Sequence, residues 1–161
     1  GIKMIWLKSP TAKGKEFSWL TEQGSLTERL NKEFHDVEVD VIYEGKVSEE
    51  KSSYKREVII KSHGQPMIFA RTSLKDDDLN GTWSCVKKLG QQSLANILFK
   101  DTEIYRRSML YQIIQPADAL HLYLKSLDLV NQEIIWLRKS EWEKNGKTLS
   151  LIEVFLPNLF I

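Results

Sequence analysis

Apolar and polar positions alternate most clearly over residues 54–73, where YKREVIIKSHGQPMIFARTS sets two apolar-rich runs either side of His63-Gly64-Gln65-Pro66. Turn-forming residues between two such runs predict an antiparallel β-hairpin. Side chains on a strand alternate between faces, so Arg56 shares a face with Val58 and Ile60, while Glu57, Ile59 and Lys61 take the other. On the return strand Arg71 falls with Met67 and Phe69. An arginine on the apolar side of a strand is costly to desolvate unless an anion meets it.

The same reading extends along the chain. A helix is predicted from about Lys15, with Phe17, Trp19 and Leu20 as its apolar stripe and Gly24 as its end. Ser25-Leu26-Thr27-Glu28 has capping-box spacing and opens a second helix to about Phe34, with Leu26 and Leu30 inward. Val37, Val39 and Val41 alternate with Glu38 and Asp40 as a strand buried on one face, ending at Gly45. Residues 46–53 read as a solvated loop, and residues 75–81, with Asp76, Asp77, Asp78 and Asn80-Gly81, as an exposed polar connection. A short helix over 83–89 and another capped by Ser93 follow. Residues 102–114 form a long strand with Arg106, Ser108, Leu110 and Gln112 on one face, and 117–127 is helical. Asn145-Gly146 then joins two strand-like runs, 134–142 and 148–156, because both residues tolerate the positive φ of a type I′ turn.

The last strand supplies a counterpart to Arg56. Leu149, Leu151, Glu153 and Phe155 share a face, so one carboxylate sits among three large apolar side chains. Glu153 and Arg56 form either a structural ion pair or a binding site, and the pattern leaves both open.

Composition narrows the classes. The 161 residues, 42% hydrophobic and 28% charged, read as one soluble domain over 1–161, able to bury roughly 70% of its unfolded surface. With Lys+Arg 23 against Asp+Glu 22 the net charge is +1, so no global field draws the chain to nucleic acid or an anionic membrane. The lone Cys85 has no internal disulfide partner, no secretory signal opens the chain, and no apolar run approaches a membrane span; a reducing cytoplasm is expected. His35, His63 and His121 lack paired metal-ligand spacing and read as surface or turn residues, Cys85 as a small packing residue, and the tryptophans as core. The Asp76–Asp78 run lacks a metal-loop pattern.

Several stretches, in order, resemble one family. Gly24-Ser25-Leu26-Thr27 with Arg29 matches a capped helix start, Arg56-Glu57-Val58 a central strand, Gly64-Gln65-Pro66 a turn and Ala70-Arg71-Thr72 the return strand. Lys88-Leu89-Gly90, Ser93-Leu94 and Leu98-Phe99 match a K-L-G-x-x-x-L-x-x-x-L-F segment. Asn145-Gly146-Lys147 and Glu153-Val154-Phe155-Leu156-Pro157 match the family's ending. The chain thus resembles chorismate lyase, the chorismate pyruvate-lyase that supplies 4-hydroxybenzoate for ubiquinone biosynthesis. Residues 115–133 are longer than the family pattern.

The resemblance implies an α+β fold, a single antiparallel β-sheet flanked by helices with the ligand enclosed beneath helical flaps. It implies that Arg56 binds the ring carboxylate, that Glu153 faces the 4-hydroxyl, and that backbone groups of Leu26 and Leu94 complete the cage. Leu26 and Leu94 each follow a helix-capping serine, where free N–H groups are available. Chorismate is a dianion, so Arg71 is the candidate for its second carboxylate or for an adjacent approach subsite. Aromatisation drives loss of the enolpyruvyl ether, so no metal or cofactor is expected, and catalysis rests on Arg56 and Glu153, the latter as base or as orienting group. A cavity within one domain needs no partner, and a monomer is expected. The rival reading is non-catalytic. The fold also resembles the effector-binding domain of a family of bacterial transcription regulators, but a regulator needs a helix-turn-helix domain, for which there is no room before Thr21. A carrier that holds 4-hydroxybenzoate without turnover is the third reading.

Overall fold

In the computed structural model, which describes residues 5–47 and 53–161, the Asn145-Gly146 prediction is met. β5 (Ile135–Lys144) and β6 (Lys147–Phe155) are joined by those two residues at φ 48° and 76°. His63-Gly64, at φ 50° and 75°, makes a second two-residue turn between β2 (Ser53–Ser62) and β3 (Gln65–Lys75). With β1 (Val37–Lys46) and β4 (Ile104–Ile114) these strands form one six-stranded sheet, every pairing antiparallel, in the order β1-β2-β3-β6-β5-β4.

Five short α-helices lie among the described residues. α1 (Gly14–Leu20) stops at a Thr21 cap, so Gly24 belongs to the connection after it rather than to its end, and Phe17 is exposed while Trp19 and Leu20 are buried. α2 (Leu26–Glu33) begins where Ser25 Oγ accepts from the Glu28 N–H at 3.1 Å, and Leu26 and Leu30 face inward. α3 (Asp76–Leu79) occupies the connection expected to be exposed, and Asp78 within it is buried. A 3-10 turn (Ser84–Lys88) and α4 (Ala95–Leu98) follow. α5 (Ala119–Ser126) fills the long segment after β4. The loop predicted at 46–53 lies largely outside the described residues.

Two cores result, one on each face of the sheet. Ile59, Phe69, Leu137 and Val154 pack against Leu124 of α5 on one side. On the other, Trp19, Leu20, Leu26, Leu30, Trp83 and Leu94 pack over Val58, Ile60, Ala70, Leu151 and Phe155. A fully buried leucine such as Leu20 or Leu30 contributes roughly 1.5–3 kcal/mol, which seats α1 and α2 over this second face. His121 is wholly buried in α5, its Nε2 2.7 Å from the Glu133 carbonyl, and so is neither a surface nor a turn residue. Cys85 is partly buried against the second core.

Candidate functional site

Three β-bulges decide which side chains meet beneath α1 and α2. Near the β2–β3 turn, Ser62 pairs with Gln65 and Lys61 with Pro66, a register that would put Arg56 opposite Arg71. Pro66 has no N–H to give the ladder, and the register shifts by one residue before Ile60 pairs with Ile68. Arg56 therefore pairs with Thr72, and Arg71 with Glu57, on opposite faces. The expectation that Arg71 joins Arg56 in one site is corrected: Arg71 Nε donates to Glu57 Oε2 at 2.7 Å on the far face, and Arg71 does not line the cavity. A second bulge, after Val41, brings Glu44 opposite Arg56. A third, between Arg106 and Ser108, places Met109 and Tyr111 on the face of Arg106, replacing the predicted Ser108, Leu110 and Gln112.

The cavity so formed has a volume of about 570 Å³, including the part that opens to solvent. Its floor is the sheet, with Arg56 and Val58 from β2, Ala70 and Thr72 from β3, Leu151 and Glu153 from β6, Arg138 and Ser140 from β5 and Arg106 from β4. Its roof is Gly24, Leu26 and Thr27 on one side and Ser93, Leu94, Ala95 and Phe99 on the other. Thr27 Oγ1 and Ser93 Oγ, 2.8 Å apart, join the two halves of the roof. Leu26 is the first residue of α2, so its N–H has no intrahelical acceptor. Ser93 Oγ accepts from the Ala95 N–H at 3.2 Å, beside Leu94.

Arg56 is 1% exposed, and its Nη2 donates to the Gly90 and Gln92 carbonyls at 3.1 and 2.8 Å. Its Nε lies 3.7 Å from Glu44 Oε2, an ion-pair contact beyond hydrogen-bond length, and is a buried nitrogen without a hydrogen-bond partner among the described residues. Burial lowers the Arg56 pKa from its ordinary value, with Glu44 opposing the shift; a guanidinium remains charged regardless. Burial likewise raises the Tyr54 pKa, with Glu44 adding to it.

Glu153 does not pair with Arg56. Its partner is Arg138, whose Nε donates to Oε1 at 2.9 Å and whose Nη1 donates to the Leu20 and Glu22 carbonyls at 3.0 and 2.8 Å. Oε2 of Glu153 makes no hydrogen bond among the described residues, and Glu153 lines the cavity. The Arg56–Glu153 structural pair is thus replaced by Arg138–Glu153 on neighbouring strands, a contact in register between β5 and β6. Arg106 and Arg138 are the site residues that sequence reasoning missed. Arg138 interrupts the apolar run Ile-Ile-Trp-Leu, the same signal that singled out Arg56, and Arg106 lay on the predicted strand without a recognised partner. The result is three guanidinium groups around one carboxylate, walled by apolar and aromatic groups, Phe99 and Trp142 meeting edge-to-face at 5.4 Å. No group of three or more His, Cys, Asp or Glu suited to a metal occurs among the described residues, and no helix there is long and apolar enough to cross a membrane.

Fold and site together define an α+β domain built around an enclosed, net-cationic cavity between an antiparallel sheet and a helical roof. The chorismate lyase family model matches residues 3–161, and the chain belongs to that family. The probable chorismate pyruvate-lyase of Methylobacillus flagellatus is 27% identical over 166 residues, covering 96% of this chain and 93% of the relative. That of Pseudomonas putida is 31% identical over 159 residues, covering 88% and 80%. The chorismate pyruvate-lyase of an Enterobacter species is 27% identical over 160 residues, covering 92% and 86%. Among solved structures, the effector domain of PhnF from Mycobacterium smegmatis superposes with a TM-score of 0.58 at 12% identity, covering 85% of this chain and 91% of that one. This likeness is one of fold.

Proposed function

We propose that the protein converts chorismate to 4-hydroxybenzoate and pyruvate, supplying the aromatic precursor of ubiquinone, and that it works as a cytoplasmic monomer without a cofactor. The observation that carries the reading is the convergence of Arg56, Glu153, Leu26 and Leu94 on one enclosed cavity. The Arg56 guanidinium meets the ring carboxylate. The 4-hydroxyl donates to Glu153 Oε2, and the roof backbone near Leu26 and Leu94 closes over the ring. The C3–O ether bond breaks as the C4 hydrogen leaves as a proton; the C4–H electrons complete the aromatic ring, and the departing enolpyruvate takes up a proton to become pyruvate. The arginines offset charge growing on that leaving group in a site from which water is largely excluded. Arg138 fixes Glu153 through Oε1, so that its carboxylate can orient the hydroxyl.

The test is incubation of the purified chain with chorismate while both products are followed. Equal appearance of 4-hydroxybenzoate and pyruvate is expected. Appearance of neither overturns the reading, and 4-hydroxybenzoate binding without turnover would then mark a non-catalytic binding domain.

A further inference from the structure

Three arginines line the cavity, and their charges are met unequally. Arg138 is neutralised by Glu153 at 2.9 Å, and Arg56 has Glu44 at 3.7 Å and two roof carbonyls. Arg106 has no carboxylate within ion-pair distance among the described residues. Its Nη2 donates to the backbone and side-chain oxygens of Gln23, both at 2.9 Å, and its guanidinium carbon lies 5.0 Å from the centre of the Trp142 ring. Nη1 and Nε are not engaged. Burial first and Arg138 second lower its pKa, with Glu153 opposing the shift.

Position sharpens the point. In the order β2-β3-β6-β5-β4, Arg56 and Arg106 stand four strand spacings apart, about 19 Å between backbones, with both side chains reaching inward. A ligand that meets both needs an acidic group at each end. Arg56 is deeply buried, whereas Arg106 is partly exposed at the cavity edge.

We propose that Arg106 binds the second carboxylate of a dicarboxylate ligand, and thereby separates substrate from monocarboxylate product. Resting on the lyase reading, that group is the enolpyruvyl carboxylate of chorismate. Arg138 is too fully committed to Glu153, Leu20 and Glu22 to serve, and Arg71 is on the other face. Once the ether breaks, the ring product keeps its contacts with Arg56 and Glu153 but no longer carries the carboxylate that meets Arg106.

The test compares two ligands by calorimetric titration, 4-hydroxybenzoate and a stable benzoate carrying a carboxyvinyl ether at the meta position. In Arg106→Gln the dicarboxylate should lose at least about tenfold in affinity, while 4-hydroxybenzoate stays within about twofold. Arg106→Lys, which keeps the charge but not the planar fork, should show a smaller loss of the same selectivity, and it decides the question if Arg106→Gln does not fold. Equal losses for both ligands would mean that Arg106 acts only through Gln23 and the roof, and no loss for either would remove it from binding; each overturns the proposal. Turnover of chorismate by the unmodified protein is scored separately. A selective loss without turnover would leave a dicarboxylate site and refute the lyase.

Discussion

Two buried carboxylates on opposite faces of one sheet, Glu57 and Glu153, show what separates a structural charge from a functional one. Glu57 is 1% exposed and its carboxylate is fully used: Oε2 accepts from Arg71 Nε at 2.7 Å, and Oε1 accepts from the Tyr123 hydroxyl at 2.6 Å. The cluster fastens α5 to the sheet, with Phe69 edge-on to Tyr123 and the Arg71 guanidinium 5.8 Å from both rings. Glu57 does not line the cavity beneath α1 and α2. Glu153, also buried though less deeply, has one oxygen without a hydrogen bond among the described residues, lines a cavity, and has Arg56 and Arg106 on the same lining. Burial of charge is common to both, so burial alone does not mark a site; unspent hydrogen-bonding capacity beside an enclosed volume does.

The largest effect should come from Arg71→Met. It strands the Glu57 carboxylate in the interior, and breaking such a pair costs about 3–5 kcal/mol. Denaturant unfolding should show that loss, while the folded fraction binds 4-hydroxybenzoate as before. Weakened binding with stability unchanged would return Arg71 to the site. Arg56→Ala is the converse. Losing a charge-assisted contact of about 1.5–3 kcal/mol, it should bind 4-hydroxybenzoate roughly 10- to 150-fold more weakly, with a smaller change in stability because the freed Gly90 and Gln92 carbonyls turn toward the cavity. Unchanged product affinity would remove Arg56 from the site.

These two variants also separate what was legible in the sequence from what was not. Strand and helix periods, the Asn145-Gly146 turn and the Ser25 cap are local, so the individual elements could be read directly, whereas the α+β architecture with its single sheet was implied by the family resemblance. Arg56 and Glu153 stood out because each broke an apolar face. Arg71 was misplaced because one extra residue after Pro66 reverses every later side chain, and period-2 counting does not register a bulge. Glu44 and Met109 escaped notice for the same reason at the other two bulges. The choice of Arg138 over Arg56 as partner of Glu153 depends on strand order, since β5 adjoins β6 whereas β2 is separated from it by β3. That order is set by long-range pairing, which neither composition nor local spacing carries.

A third variant presses on the free oxygen of Glu153. Glu153→Gln keeps the volume and one acceptor but removes the charge that meets Arg138, and about a tenfold fall in kcat is expected for a group that orients the hydroxyl. A fall of about a thousandfold or more would instead assign it the role of base.

The smallest effect, and the finest discrimination between the two faces, lies with Tyr123. Burial first and the hydrogen bond to Glu57 second raise its pKa to about 12, above the ordinary value near 10. A folded-state pKa raised in this way makes a stabilising contribution that is complete below about pH 10 and is lost as the pH rises through about 12. Tyr123→Phe removes the donor, at a cost near neutrality of about 0.5–1.5 kcal/mol. Unfolding measured from pH 8 to 12 should therefore show the gap between the unmodified protein and the variant narrowing above pH 10, with 4-hydroxybenzoate affinity the same in both at pH 8. A gap constant across that range would deny that the phenol donates to Glu57, and a loss of ligand affinity would show that the far-face cluster is not insulated from the cavity.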